Sequence, residues 1–122
     1  MLRLLALLGC ACASALAADT YRDGWTPQAL RDAAAACTES LVQGVWENTK
    51  REQGADPKRP LTPELRKQLA PQIDAFRALC DCTVRETAKR YGKRDWERQG
   101  DAVARYGADL VRRGVCKGPP PR

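Results

Sequence analysis

The chain has no histidine, and outside its first 17 residues it has a single serine, Ser40. Serine–histidine and cysteine–histidine nucleophile pairs are therefore excluded, and the commonest general base is missing. Aromatic residues are scarce, at 6% of the chain, so the stacking platforms that hold single-stranded nucleic acid lack their material and no nucleic-acid partner is expected. No apolar run reaches the roughly 20 residues needed to span a bilayer. The cysteines do not show the paired Cys-x-x-Cys spacing of zinc sites or of thioredoxin-type redox sites. No catalytic constellation is left, and neither a cofactor nor a metal is implied. The expectation is a non-enzymatic protein.

What is present begins with an address. Met1-Leu2-Arg3 carries one positive charge, Leu4 to Leu16 is apolar and small, and Ala15-Leu16-Ala17 has the small-x-small form of a signal-peptidase site. Residues 1–17 read as a signal peptide cleaved after Ala17. Leu7-Leu8-Gly9-Cys10 also resembles a lipoprotein box, which makes lipidation of Cys10 the alternative, although the apolar run before it is short. Export places the mature chain in the periplasm or medium of a bacterium, with no transmembrane anchor after cleavage. It also leaves an even set of cysteines, Cys37, Cys80, Cys82 and Cys116, in an oxidising compartment. The remaining length is that of one domain with a modest core. Two disulfides at about 2–4 kcal/mol each would match the net stability of such a domain.

Periodicity then sets the fold class. Residues 18–25 contain Asp23-Gly24 and no sustained period, so they read as an irregular arm that packs Tyr21 or Trp25 onto the body. Thr26-Pro27 opens a helix, with a hydroxyl cap and a proline where an amide would go unpaired anyway. Leu30, Ala34, Cys37, Leu41 and Val45 follow at spacings of three and four, which puts Cys37 in the expected buried stripe. Ala33 to Ala36 are small enough to let a neighbouring helix approach closely, and Gly54 ends the run. A turn-rich link with Pro57 and Pro60 leads to a second helix opened by Thr62-Pro63-Glu64. Pro71 removes a backbone hydrogen bond, so a kink or restart is expected near Ala70. Beyond it Ile73, Phe76, Cys80, Val84, Thr87 and Tyr91 share one face, while Cys82 points about 200 degrees away. Gly92 stops this helix, and Asp95 is expected to cap a third with Trp96, Val103, Tyr106 or Gly107, and Leu110 inward. Gly114 and Val115 resemble a glycine cap with its hydrophobic contact. Residues 118–122 form a proline-rich tail expected to be disordered. The sum is an all-α, small three-helix bundle over residues 26–117, stapled by two disulfides.

Pairing follows from levels along antiparallel helices. A turn between Gln53 and Pro63 puts Cys37 opposite the region of Leu79, so Cys37–Cys80 is the first choice and Cys82–Cys116 follows by elimination. Straight helices would leave the second pair roughly 15–20 Å apart, whereas a disulfide needs Cα atoms within about 7 Å. Either the third helix breaks, at Gly100 or Gly107, or it crosses at a large angle, or the pairing differs. Two other uses of the doublet remain on the table: a strained Cys80–Cys82 exchange bond, and soft-metal binding by the reduced pair.

Charge is distributed unevenly. Ala18 to Cys82 holds 9 basic and 10 acidic residues, and Thr83 to Arg122 holds 11 basic and 5 acidic. The whole excess therefore lies in the C-terminal third, and Arg85, Lys89, Arg90, Lys93, Arg94 and Arg98 are the candidates for contact with an anionic envelope component or an acidic protein surface. Glu39 and Glu47 lie two turns apart near one helix face and read as a solvated edge rather than an acid/base pair. Trp46 and Trp96 read as packing residues.

One stretch carries a likeness. Ala36-Cys37-Thr38-Glu39-Ser40-Leu41-Val42-Gln43-Gly44-Val45 resembles the start of the Rap1a/Tai group of small periplasmic immunity proteins, which are similar in having a leader, helices, a cysteine shortly before Gly-Val and a closing cysteine, here Cys116. The Cys80-Asp81-Cys82 doublet departs from that pattern. The resemblance implies a protein that binds and blocks a toxic cell-wall amidase. It transfers no inhibitory residue.

Overall fold

The computed structural model describes residues 20–117. The leader with Cys10 and the proline-rich tail lie outside the described residues. Five helices follow in order, α1 (Pro27–Gln53), α2 (Pro63–Gln68), α3 (Ala70–Arg90), α4 (Lys93–Arg98) and α5 (Gly100–Arg112). They make three rods, the second and third each broken once. There is no strand among the described residues, and none of the described helices is long and apolar enough to cross a membrane.

Local chemistry explains most boundaries. Thr26 and Thr62 are extended N-caps whose hydroxyls accept from the amides of Ala29 and Leu65, each followed by proline at the first helical position. α1 stops at Gly54, whose φ of 60° is left-handed and whose turn sends the Ala55 amide back to the Lys50 carbonyl at 2.9 Å. The second rod restarts at Ala70, where Leu69 has φ −91° and ψ 2°. Pro71 thereby becomes the second residue of a new helix, where a missing amide costs nothing.

The third rod starts earlier than expected. α4 begins at Lys93 with Gly92 as its N-cap, so Asp95 sits in the first turn and is not the cap. The reason is a tertiary contact: the Asp23 carbonyl accepts the Lys93 amide at 2.9 Å, which satisfies a donor the helix would otherwise leave unpaired. A side chain at position 92 would stand 3.2 Å from that same carbonyl, so the glycine is needed for the close approach. The arm is held further by Arg22 N–H to Ala88 O at 2.9 Å, Trp25 Nε1–H to Tyr91 O at 2.8 Å, and an edge-to-face contact of Trp25 with Trp96 at 5.1 Å. The break in the third rod falls at Gln99, just before Gly100, while Gly107 stays within a continuous helix.

α3 is the shared partner. α1 packs along it, and α5 packs against it. Cys80, Val84, Thr87 and Ala88 of α3 are buried, as are Val103 and Leu110 of α5. On α1 the buried row is Thr38, Val42, Trp46 and Lys50, not the expected row of Leu30, Ala34, Cys37, Leu41 and Val45, which is half-buried. The row shifts because the far half of α1 is covered by the link to α2: Trp46 donates its indole N–H to the Arg59 carbonyl at 3.0 Å, and the buried Lys50 ammonium donates to the Pro57 carbonyl at 2.6 Å and to Glu47 at 2.9 Å. Ala35 and Ala36 are exposed, so no helix among the described residues uses their small size.

Gly44 and Gly107 lie inside α1 and α5, and a Cβ added at either meets nothing within 4 Å. Interior helical glycine is roughly 0.5–1 kcal/mol less favourable than alanine. Gly44→Ala and Gly107→Ala are each expected to stabilise the folded chain by about that amount, read as a shift in the urea midpoint with an unchanged slope.

Candidate functional site

The two disulfides are formed as Cys37–Cys80, with S–S 2.11 Å and Cα–Cα 5.8 Å, and Cys82–Cys116, with S–S 1.97 Å and Cα–Cα 5.7 Å. The second closes because the chain turns back after α5. Gly114 adopts φ 76°, and the amides of Val115 and Cys116 both return to the Leu110 carbonyl, at 2.9 and 3.2 Å. Cys116 is buried there while Val115 stays half exposed, so the hydrophobic contact expected of Val115 is made by the cysteine. Cys80 and Cys82 are bonded to different partners and not to each other. The exchange-bond reading of the doublet loses its bond, and the oxidised chain offers no free thiolate from it to a soft metal.

The six basic candidates sit on the C-terminal half of α3 and on α4, and most are already occupied. Arg85 meets Asp81 at 3.5 Å, Lys89 meets Glu86 at 2.9 Å, and Lys93 meets Glu97 at 2.6 Å, each pair within one helix. Arg90 lies over the rings of Tyr106 and Tyr91, at 4.8 and 5.9 Å from their centroids. Arg94 and Arg98 are exposed, with no ion pair among the described residues. The Lys93 ammonium holds the Glu97 carboxyl below its ordinary pKa.

The carboxylates considered for acid/base chemistry are also engaged. Glu39 accepts from Arg66 at 2.5 and 3.3 Å and from Gln43 at 3.2 Å, and Glu47 pairs with Lys50. The Arg66 hydrogen bonds first, and then that from Gln43, lower the Glu39 pKa. This pair lies at an open cleft of about 430 Å³ between α1 and α3, whose other charged side chains, Arg31, Arg77 and Asp81, are exposed. A low carboxylate pKa beside a bound guanidinium is the reverse of what a general acid needs near neutral pH.

A second groove, of about 360 Å³, is almost wholly apolar and lies between α1 and α5 over α3. Leu41 and Ser40 wall it on one side, Ala104, Gly107 and Ala108 on the other, with Val84 on the floor and Trp96 at one end. Val111 at its edge is 37% exposed. Periodicity did not reveal this feature, because it arises where two helices that share a partner do not meet. The available signal was the set of small residues Ala104, Gly107 and Ala108 on one side of α5. Trp46 is 5% exposed and packs as expected, and Trp96 packs edge-to-face on Trp25 while also lining the groove.

Comparison with protein-family models, curated proteins and solved structures finds no match. The ten-residue likeness of Ala36 to Val45 falls on α1, with Ala36, Ser40 and Gly44 exposed along it.

Measurements on the disulfides and on Glu39 check this geometry. The oxidised chain without residues 1–17, which hold Cys10 and Cys12, is expected to take up no thiol reagent, and replacing either pair by serine is expected to cost about 2–4 kcal/mol; peptide mapping without reductant reads the pairing directly. Glu39 is expected to titrate below the ordinary carboxylate value by NMR, and Arg66→Gln to raise it. Because the folded pKa is the lower one, the pair favours the fold above the unfolded chain's carboxylate pKa and loses that contribution as pH falls through the folded value.

Proposed function

We propose that the chain is an exported, non-catalytic interaction module of the bacterial envelope, which contacts an anionic envelope component or an acidic protein surface through the basic end formed by α3 and α4. The observation that carries the reading is that all four cysteines beyond the leader are consumed as structural staples around one helix. The acids considered for catalysis are likewise held in ion pairs. What remains exposed and chemically distinctive is charge and shape. The two disulfides and the leader together favour the periplasm or the exterior as its place of work. Within the basic set, Arg94 and Arg98 are the contact residues best supported, since Arg85, Lys89 and Lys93 spend their charge within their own helices.

A second reading comes from the resemblance: an immunity protein that blocks a cell-wall-degrading toxin. It is favoured by one observation, that the similar segment supplies the α1 wall of the apolar groove through Ser40 and Leu41. A tight equimolar complex with a cognate secreted amidase is the finding that would replace the first reading by this one.

Retention of the mature chain on an isolated envelope fraction is expected to fall with rising salt. Arg94→Glu with Arg98→Glu is expected to weaken it by about tenfold without altering the circular dichroism. Unchanged retention in that double variant discards the basic end as the contact.

A further inference from the structure

We infer that the cleft between the start of α1 and α4 is a saccharide site, which takes an uncharged pyranose ring with its C–H face against Trp25 and Trp96 and its hydroxyls on the polar pairs of the two helices. The inference goes beyond the interaction-module reading and does not rest on it, since it concerns a different surface and a neutral ligand.

The indoles supply the apolar part. Aromatic residues make up only 6% of the chain, yet two of its three tryptophans stand together at this cleft, half-buried, while Trp46 is enclosed elsewhere. Their rings meet at 74° with centroids 5.1 Å apart. Trp25 is fixed in place by its indole N–H on the Tyr91 carbonyl at 2.8 Å, and the arm that carries it is tied to α4 through the Asp23 carbonyl and the Lys93 amide. The indole surface is therefore preformed, at an open cleft of about 420 Å³, a size within the range of small-ligand sites. A flat, rigid apolar wall is the complement of the C–H face of a sugar ring whose hydroxyls are equatorial.

The polar part comes as two ready-made pairs, one on each helix. On α1 the Gln28 amide donates to the Asp32 carboxylate at 2.7 Å, and on α4 the Lys93 ammonium donates to the Glu97 carboxylate at 2.6 Å. Neither bond exhausts its members. Each carboxylate keeps a second oxygen, Gln28 keeps one amide hydrogen and Lys93 two ammonium hydrogens. A hydroxyl both donates and accepts, so two neighbouring hydroxyls can engage the donor and the acceptor of one pair without breaking it.

Charge decides between classes of ligand. Asp32, Lys93 and Glu97 line the cleft. Arg31 donates to the Gln28 side-chain oxygen at 2.9 Å, and Arg94 is near enough to act with Lys93 in lowering the Glu97 pKa. Both signs therefore surround the indoles. An anion there meets two carboxylates, and a cation meets Lys93 with Arg31 and Arg94 around it. A neutral polyol meets neither repulsion and uses both kinds of group as hydrogen-bond partners.

The test uses the oxidised chain without residues 1–17 and two neutral disaccharides with equatorial ring substituents, cellobiose and diacetylchitobiose, with choline and glucuronate as charged controls. At least one disaccharide is expected to bind with a Kd of about 1 mM or tighter, at least about tenfold more tightly than either control. Its binding is expected to move the indole N–H signals of Trp25 and Trp96 in the NMR spectrum and to leave that of Trp46 in place. Asp32→Ala with Glu97→Ala removes an acceptor from each pair at exposed positions, and is expected to weaken binding by at least about tenfold with the circular dichroism unchanged. Arg94→Glu with Arg98→Glu, and a rise in salt, are expected to leave the affinity within about twofold, so this site and the basic end fail or stand separately. The six-ring homologue of the disaccharide that binds tells the source of the ring: an affinity at least about tenfold higher marks a stretch of polymer, an equal affinity a free sugar, and both support the proposal. Binding of neither disaccharide, tighter binding of choline or glucuronate, shifts gathered away from Trp25 and Trp96, or binding that survives loss of Asp32 and Glu97 would each overturn it.

Discussion

Two covalent bonds to one helix organise this molecule. Cys80 and Cys82 are separated by a single residue, so on α3 their side chains leave about 200 degrees apart. One is tied to α1 and the other to the turn after α5. α3 is thereby fixed from two directions at nearly the same height. The bonds span 43 and 34 residues of sequence, so together they constrain most of the unfolded chain, and the loss of loop-closure entropy falls on the unfolded side of the equilibrium.

That constraint stands in for a large core. The fully enclosed side chains are few, and they include Thr87 and the two cysteines Cys80 and Cys116 alongside Val42 and Leu110. Polar groups are buried too; the Gln72 side-chain oxygen has no partner among the described residues, but Thr38 and Lys50 have partners suited to them. Thr38 returns its hydroxyl to the Ala34 carbonyl, and Lys50 is held by Glu47 and a loop carbonyl with the Trp46 ring 5.8 Å away. A buried ammonium held this way anchors the irregular link from 54 to 62 in place of apolar contact, because that link has little apolar surface to offer. The arm before α1 is held by the same means, through backbone and indole hydrogen bonds at the junction of α3 and α4.

Features written in local chemistry were legible before any coordinates. The Thr-Pro helix openings, the restart around Pro71, the glycine stops and the two-sided geometry of Cys80 and Cys82 all depend on residues within one or two turns. The Cys37–Cys80 pairing was legible as well, because antiparallel rods joined by a link fix which residues share a level, whereas Cys82–Cys116 followed only by elimination, since levels along straight helices set that pair too far apart. Three things were not. The start of α4 depends on a carbonyl at Asp23, seventy residues away along the chain. The buried row on α1 depends on carbonyls at Pro57 and Arg59, and side-chain periodicity carries no record of where a loop's backbone will lie. The ion pairing of the basic residues also went unread: Arg85, Lys89 and Lys93 have acidic neighbours at helical spacing, a pattern present in the sequence that a tally of charge conceals.

The groove follows from the same two bonds. Apolar surface left open is ordinarily removed by sliding neighbouring helices together, since burial gains roughly 25 cal/mol per Å². Here α1 cannot roll around α3 toward α5 without straining the link at Cys80, and the end of α5 cannot roll toward α1 without pulling Cys116 from the opposite side of α3. The walls are held apart. What keeps such a surface tolerable in water is its composition: alanine, glycine and serine expose little apolar area each, and Val111 and Val115 are the large apolar side chains left exposed among the described residues. A scaffold clamped this way holds a shallow apolar groove open between α1 and α5.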